Sequence, residues 1–204
     1  MKSGKPFRRL PADKRRAVTV QTVIGLAAEQ NPSEITTTVM AERMHMTQGA
    51  LFRHFPTKDS IWQEVTEWVS ECILTRVDAA MLDAKSPAAA LEAIFMAHID
   101  FVIEHPGAPR ILFGELQRSD DCPVKRTVRT LLSHYSARLQ SLIEQGKKLG
   151  ELAPEQDAAA SASLFIGMIQ GLVMQSLMDG NSGSVRAKAA GVFAIFLRGI
   201  RRTK

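Results

Sequence analysis

Between Ile35 and Lys58 the chain reads as two short helices separated by a tight break, the second opening on the hydroxyl of Thr47. That layout is a helix-turn-helix, whose second helix enters the major groove of double-stranded DNA. The remaining sequence points the same way in fold class. Its apolar residues recur at helical spacing and alternating runs are absent, so an all-α protein is expected.

The charge is distributed to match. Residues 1–60 hold ten Lys/Arg against five Asp/Glu, whereas residues 61–204 hold sixteen of each. The whole surplus of +5 therefore sits with the motif, as the electrostatic footprint of a polyanion partner should. Two cysteines, Cys72 and Cys122, give neither a disulfide framework nor a metal pattern and suggest a reducing cytoplasm. The basic N-terminus is not followed by an apolar run, so no signal peptide is expected. The charge-free stretch Ala158–Met178 has the 21 residues needed to cross a bilayer. Ser161, Ser163, Gln170, Gln175 and Ser176 dilute it, which favours a buried helix or an oligomer interface in a soluble, cytoplasmic protein with no membrane partner.

Nine helices are predicted, without repeats. The first runs from Pro11 to Glu29 with the stripe Ala17, Val20, Ile24 and Ala27, and Asn31-Pro32 ends it. Thr36 caps the second, which turns Met40, Ala41 and Met44 inward; Thr47 caps the third, with Leu51 and Phe55 inward. Pro56-Thr57 starts a long fourth helix, and Ser86-Pro87 opens a fifth. A short helix is expected over Arg110–Gln117, then a seventh from Asp120–Pro123 to Gly146. Pro154-Glu155 opens the apolar eighth, and the ninth carries Val185, Ala189, Val192, Phe196 and Ile200.

Helix N-termini gather free backbone N–H groups and partial positive charge, so they attract phosphate. The head supplies three: Thr36-Thr37-Thr38, Thr47-Gln48 and Thr57-Lys58. Bases would be read from the exposed face of the third helix. Gln48 pairs bidentately with adenine, Arg53 reaches guanine or phosphate, Thr47 bonds a base or phosphate, and Ala50 or Phe52 meets a thymine methyl. Gly49 leaves room for close approach, and His54 and Lys58 face phosphate. The arm Lys5-Pro6-Phe7-Arg8-Arg9 suits a minor groove.

These residues resemble the TetR/AcrR transcriptional regulators. That family's motif runs Thr, three residues, an aliphatic, Ala and a Gly-containing turn, then a Ser/Thr cap, x-Gly-x-Leu-Tyr-x-His-Phe and x-x-Lys. Thr36, Met40, Ala41, Thr47, Gly49, Leu51, His54, Phe55 and Lys58 match it position for position, and Gly146-x-x-x-Gly150-Glu151-Leu152 fits the wider layout. Two departures stand out. His45 replaces the turn Gly, so a differently shaped turn is expected; Phe52 replaces Tyr and loses a hydroxyl that usually touches phosphate.

The resemblance implies a DNA-binding domain over 1–56 and a ligand-sensing and dimerisation domain over 57–204. It implies a homodimer through the last two helices (about 155–178 and 184–201) that reads a pseudo-palindromic operator, and repression released by a small molecule. Gly167 and Gly171 on one face of the charge-free helix support close helix packing independently. An apolar or amphipathic effector would meet Phe95, His98, Ile99, Phe113 and Met168, with soft Met side chains suiting an adaptable pocket; Met and Phe at helical spacing also read as plain core. The alternative keeps DNA but drops the ligand: a nucleoid-associated or division-linked protein whose C-terminal helices bind another protein. No Gly-rich phosphate loop, paired zinc ligands or nucleophile elbow occurs, so neither an enzyme nor a metal or cofactor site is expected.

Overall fold

The structure, a computed structural model, describes residues 12–117, 121–180 and 183–202. The basic arm Lys5-Pro6-Phe7-Arg8-Arg9 expected in a minor groove lies outside the described residues, as do Pro11, Asp120, Asn181 and Ser182. Nine α-helices are described: α1 (Ala12–Glu29), α2 (Thr37–Arg43), α3 (Gln48–Phe52), α4 (Lys58–Leu82), α5 (Pro87–Glu104), α6 (Gly107–Leu116), α7 (Pro123–Lys148), α8 (Ala158–Asp179) and α9 (Gly183–Ile200). A 3₁₀ turn at Pro32–Glu34 follows α1. By contact the chain forms two compact units, Met1–Val69 with His105–Val128, and Ser70–Glu104 with Arg129–Lys204.

In the first unit Val20, Ile24 and Ala27 of the expected α1 stripe are buried, and Val23 and Leu26 complete the face, whereas Ala17, a turn nearer the N-terminus, is exposed. Helix α2 packs on α1 and α3 on α2, with Met40 and Ala41 of α2, Leu51 of α3, and Phe55 buried. Ile61, Trp62, Val65 and Val69 of α4 close the core on the same unit. Helix α6 begins at Gly107, three residues before the expected Arg110. Pro109 explains the early start, since proline is tolerated in a first helical turn, where no intrahelical N–H bond is lost.

The second unit packs α5, α8 and α9 on one another around an aromatic cluster. Phe95 meets Phe165 edge-on at 5.4 Å and Phe193 at 5.3 Å; Phe165 also meets Phe196 edge-on at 5.7 Å. Such tilted and perpendicular pairs place positive ring edges against negative faces. Phe193 is therefore the buried residue of α9 and Val192 is only half-buried, which corrects the expected stripe by one position. Helix α8 is opened by Asp157, whose carboxylate accepts from the backbone N–H groups of Ala159 (2.8 Å) and Ala160 (3.1 Å), not by Pro154-Glu155. It is long and apolar enough to cross a membrane. One face is nevertheless buried within the unit through Ala162, Phe165, Ile169, Leu172 and Val173, while Leu164, Met174 and Met178 stay exposed.

The Gly146–Leu152 segment has a physical explanation in full. A Cβ at Gly146 would sit 2.7 Å from the Leu152 side chain, so only glycine lets that fully buried leucine fold back on α7. Gly150 takes the left-handed conformation, φ 74°, that turns the chain there. Glu151 then accepts from the backbone N–H of Ala88 at 3.1 Å and so caps α5.

Inside this unit His98 stacks on the fully buried Tyr135, with Nδ1 3.2 Å from the phenol oxygen. His98 keeps part of its accessible surface, yet the protein packed around the ring desolvates the imidazolium. That desolvation, with a smaller contribution from the Arg76 charge, lowers its pKa to about 4; burial raises that of Tyr135. The unfolded chain, at the usual 6.5 or so, binds the extra proton, so stability falls as pH drops from about 6.5 towards 4. Urea unfolding of the wild type should lose about 2–4 kcal/mol more over this window than unfolding of His98→Gln. Parallel pH profiles would show that His98 titrates normally.

Candidate nucleic-acid interface

Each expected cap forms. The hydroxyl of Thr36 accepts from the N–H of Val39 at 3.2 Å, and that of Thr47 from the N–H of Ala50 at 3.2 Å. Thr57 and Ser60 bond reciprocally: the Ser60 N–H donates to the Thr57 hydroxyl at 3.0 Å, and the Thr57 N–H to the Ser60 hydroxyl at 3.3 Å. An oxygen at each of these positions satisfies an N–H that the helix leaves open.

The turn between α2 and α3 is not reshaped by the missing glycine. His45 itself adopts the left-handed region, φ 53°, alone among the described non-glycine residues. The Met46 N–H donates to the Ala41 carbonyl at 2.9 Å, and the His45 N–H to the Glu42 carbonyl at 3.0 Å. Those two bonds are the paired closure of a Schellman motif, which satisfies carbonyls that α2 would leave open. The expectation of a different turn is thereby corrected: two hydrogen bonds and the buried Met44 hold a histidine where glycine is easier.

Helix α3 is shorter than expected. It ends at Phe52, so Arg53 is its C-cap and His54 follows in the turn, although Phe55 still points inward. Thr47, Gln48, Gly49, Phe52, Arg53 and His54 are all exposed, and Ala50 is half-buried. Nothing lies within 4 Å of a Cβ built on Gly49, so the surface there is open. Thr36 and Thr38 are exposed and Thr37 is half-buried. The Gln48 amide is already engaged, its Nε2 donating to the Thr37 hydroxyl at 2.7 Å.

Two basic residues behave differently from what their positions suggest. The Lys58 ammonium lies 5.4 Å from the centroid of the Trp62 ring. Desolvation lowers its pKa against the opposing pull of Glu115 and Asp59, so this lysine is partly tucked into its own unit. His54 has its pKa lowered by desolvation, then by the charges of Arg15 and Arg53. Arg15, on α1, was not singled out by sequence. Its Nε is buried without a hydrogen-bond partner, and it adds a cation to the His54 side of the head. Three basic residues in a row, Lys14-Arg15-Arg16, carry no local signal of which one turns that way; Arg16 pairs with Glu64 instead, at 3.6 Å.

The expected effector residues are divided. Phe95, His98 and Ile99 of α5 and Met168 of α8 belong to the second unit, and Phe113 of α6 to the first. Phe95 and Ile99 are fully buried in packed core, whereas Phe113 and Met168 are half-buried. A surface depression of about 520 Å³ lies elsewhere, along α9 at Gly191, Ala194, Ile195, Leu197, Arg198 and Arg201. Among the described residues no three His, Cys, Asp or Glu side chains gather as metal ligands.

Residues 115–192 match the family described as the tetracyclin repressor-like C-terminal domain. The nucleoid occlusion factor SlmA of Haemophilus ducreyi is 26% identical over 158 residues, covering 77% of this chain and 78% of that protein. SlmA of Alteromonas mediterranea is 25% identical over 163 residues, covering 78% and 84%. Among solved structures, the ketosteroid transcriptional regulator KstR2 of Mycobacterium tuberculosis aligns with TM-score 0.75 at 19% identity, covering 93% of this chain and 96% of that one. FadR of Bacillus subtilis, in complex with stearoyl-CoA, aligns with TM-score 0.78 at 15% identity, covering 90% and 98%. The family match thus lies in the C-terminal part of the chain, and the likeness to the solved structures, which extends over nine-tenths of it, is one of fold.

A non-glycine residue in the left-handed region costs roughly 1–2 kcal/mol, offset in glycine by its larger unfolded-state entropy. His45→Gly should therefore raise stability, by up to about 1 kcal/mol, with the helix content by circular dichroism unchanged. A loss of stability would mean that the His45 side chain contributes contacts that outweigh its backbone.

Proposed function

We infer, taking the TetR-type fold as premise, that this chain is a sequence-specific DNA-binding transcriptional regulator: a repressor that a small-molecule effector releases from its operator. The observation that carries the reading is the capped head. Gln48 stands at the first turn of α3, Arg53 and His54 are exposed beside it, and Thr36 and Thr47 cap helices at positions suited to phosphate. Residues 1–56 are the DNA-binding part and residues 57–204 the sensing and dimerising part. Thr36, Thr37, Thr38, Thr47 and Lys58 anchor the backbone; Gln48, Gly49, Ala50, Phe52, Arg53 and His54 face the groove or its rim.

The homodimer forms through about 155–178 and 184–201. Exposed Leu164, Met174 and Met178 on α8 and Ile195 on α9 supply apolar surface that a second copy would cover. Gly167 supports close approach, with open space where its Cβ would be. The effector is apolar or amphipathic, a class supported by two proteins of similar fold, the ketosteroid regulator KstR2 and the FadR in complex with stearoyl-CoA. Phe95, His98, Ile99 and Met168, all of the second unit, are its candidate contacts. It acts by favouring a dimer geometry in which the two recognition helices no longer match successive major grooves.

The second reading, a nucleoid-associated or division-linked protein whose C-terminal helices bind a protein partner, is favoured by one observation. The curated relatives carry the name nucleoid occlusion factor.

Recovery of genomic fragments by the purified protein at near-physiological salt separates the two. A repressor recovers a few pseudo-palindromic sites; hundreds of scattered sites favour the nucleoid reading; no enrichment over random DNA contradicts both. On a recovered site, Gln48→Ala should cost about 1–3 kcal/mol and relax preference at its base. Lys58→Ala should weaken all duplexes alike and lower the salt slope by about one. The reverse pattern would exchange the roles of reader and anchor.

A further inference from the structure

The side chains of Thr37 and Gln48 meet across eleven residues of sequence, joining the first residue of α2 to the first residue of α3. The bond is short, 2.7 Å, and lies at the surface. Exposed hydrogen bonds of this kind trade against water and add little to folding. Its consequence is on the amide itself. Glutamine offers two N–H donors and one carbonyl acceptor. With one donor spent on Thr37, a single donor and a single acceptor remain for anything approaching from solvent.

That remainder is selective. In the major groove adenine presents an acceptor, N7, beside a donor, N6, and is matched by one donor plus one acceptor. Guanine presents two acceptors, N7 and O6, and calls for two donors. An untethered Gln48 can turn its amino group so that both hydrogens face guanine; a tethered one cannot without breaking the Thr37 bond. The tether also fixes a side chain that would otherwise lose rotamer freedom on binding.

We propose that Thr37 is a positioning residue for base recognition, holding the Gln48 amide so that it accepts adenine and rejects guanine. This rests on the DNA-reading function proposed above. Thr37 touches no base in this role; it acts through Gln48, and the relevant chemistry is one hydroxyl acceptor at that place.

The test selects random-sequence duplexes with the wild-type protein and with Thr37→Val, Thr37→Ser and Gln48→Ala. The Gln48-read position is the one where Gln48→Ala loses preference. There, Thr37→Val should cut the adenine-over-guanine affinity ratio about two- to tenfold. Preferences elsewhere and the melting temperature should stay as in the wild type, and loss of the Thr37 phosphate contact lowers affinity for all duplexes alike without changing the ratio. Thr37→Ser, which keeps the hydroxyl, should restore the ratio. An unchanged ratio in Thr37→Val overturns the proposal, as does an equal loss of base preference at every position, which would mark a merely structural threonine. If Gln48→Ala itself alters no position, the reading of Gln48 as base reader falls, and this inference falls with it.

Discussion

Helices of seven and five residues do not persist in water on their own, because nucleation costs more than so few hydrogen bonds return. The head depends on a left-handed turn at His45 that aims one such helix past the other while both bury a face. Two backbone bonds close the turn, from Met46 to Ala41 and from His45 to Glu42. Met40, Leu51 and Phe55 then reach the core they share with α1 and α4. Every feature assigned to DNA sits on that frame: the Thr36 and Thr47 caps, the exposed start of α3, and the Thr37–Gln48 bond that ties the two helix starts together.

Charge refines the frame. The sequence places its positive surplus in the first sixty residues, and the structure shows that these cations are not equivalent. Arg43 forms a two-point ion pair with Glu29, Arg16 pairs with Glu64, and Lys58 lies over Trp62. Desolvation first, and then the charges of Arg15 and Arg53 beside it, lower the affinity of His54 for a proton. Like charges held near one another in this way favour a polyanion at that surface, since a phosphate relieves the repulsion.

Much of this was legible in the sequence, and for identifiable reasons. Hydroxyl caps are local signals, so Thr36, Thr47 and the Thr57 start of α4 follow from their neighbours alone. Apolar periodicity likewise places Val20, Ile24, Met40, Leu51 and Val65 in the core. What escaped depends on distant partners. The choice of Phe193 over Val192 on α9 is made by ring packing against Phe95 and Phe165, not by spacing within the helix. The cap of α5 by Glu151 is likewise set by a segment far along the chain. The turn at His45 departs from expectation because the glycine preference of left-handed backbone is an average cost. The two closing bonds overcome it here. The Thr37–Gln48 bond has no sequence signature at all, as nothing in a separation of eleven residues announces it.

The C-terminal helices combine a polar pair, half-buried His98 and buried Tyr135, with an aromatic core and an exposed apolar flank on α8 and α9. The proposed function turns first on whether the head reads DNA through the major groove. Base-modification interference on a recovered site measures that most directly. Methyl groups at guanine N7 obstruct the major groove, and those at adenine N3 the minor groove. Interference at major-groove positions, in two patches about one helical turn or a multiple of it apart, is the predicted result. Interference confined to the minor groove, or none in either, would contradict a recognition helix at residues 47–54.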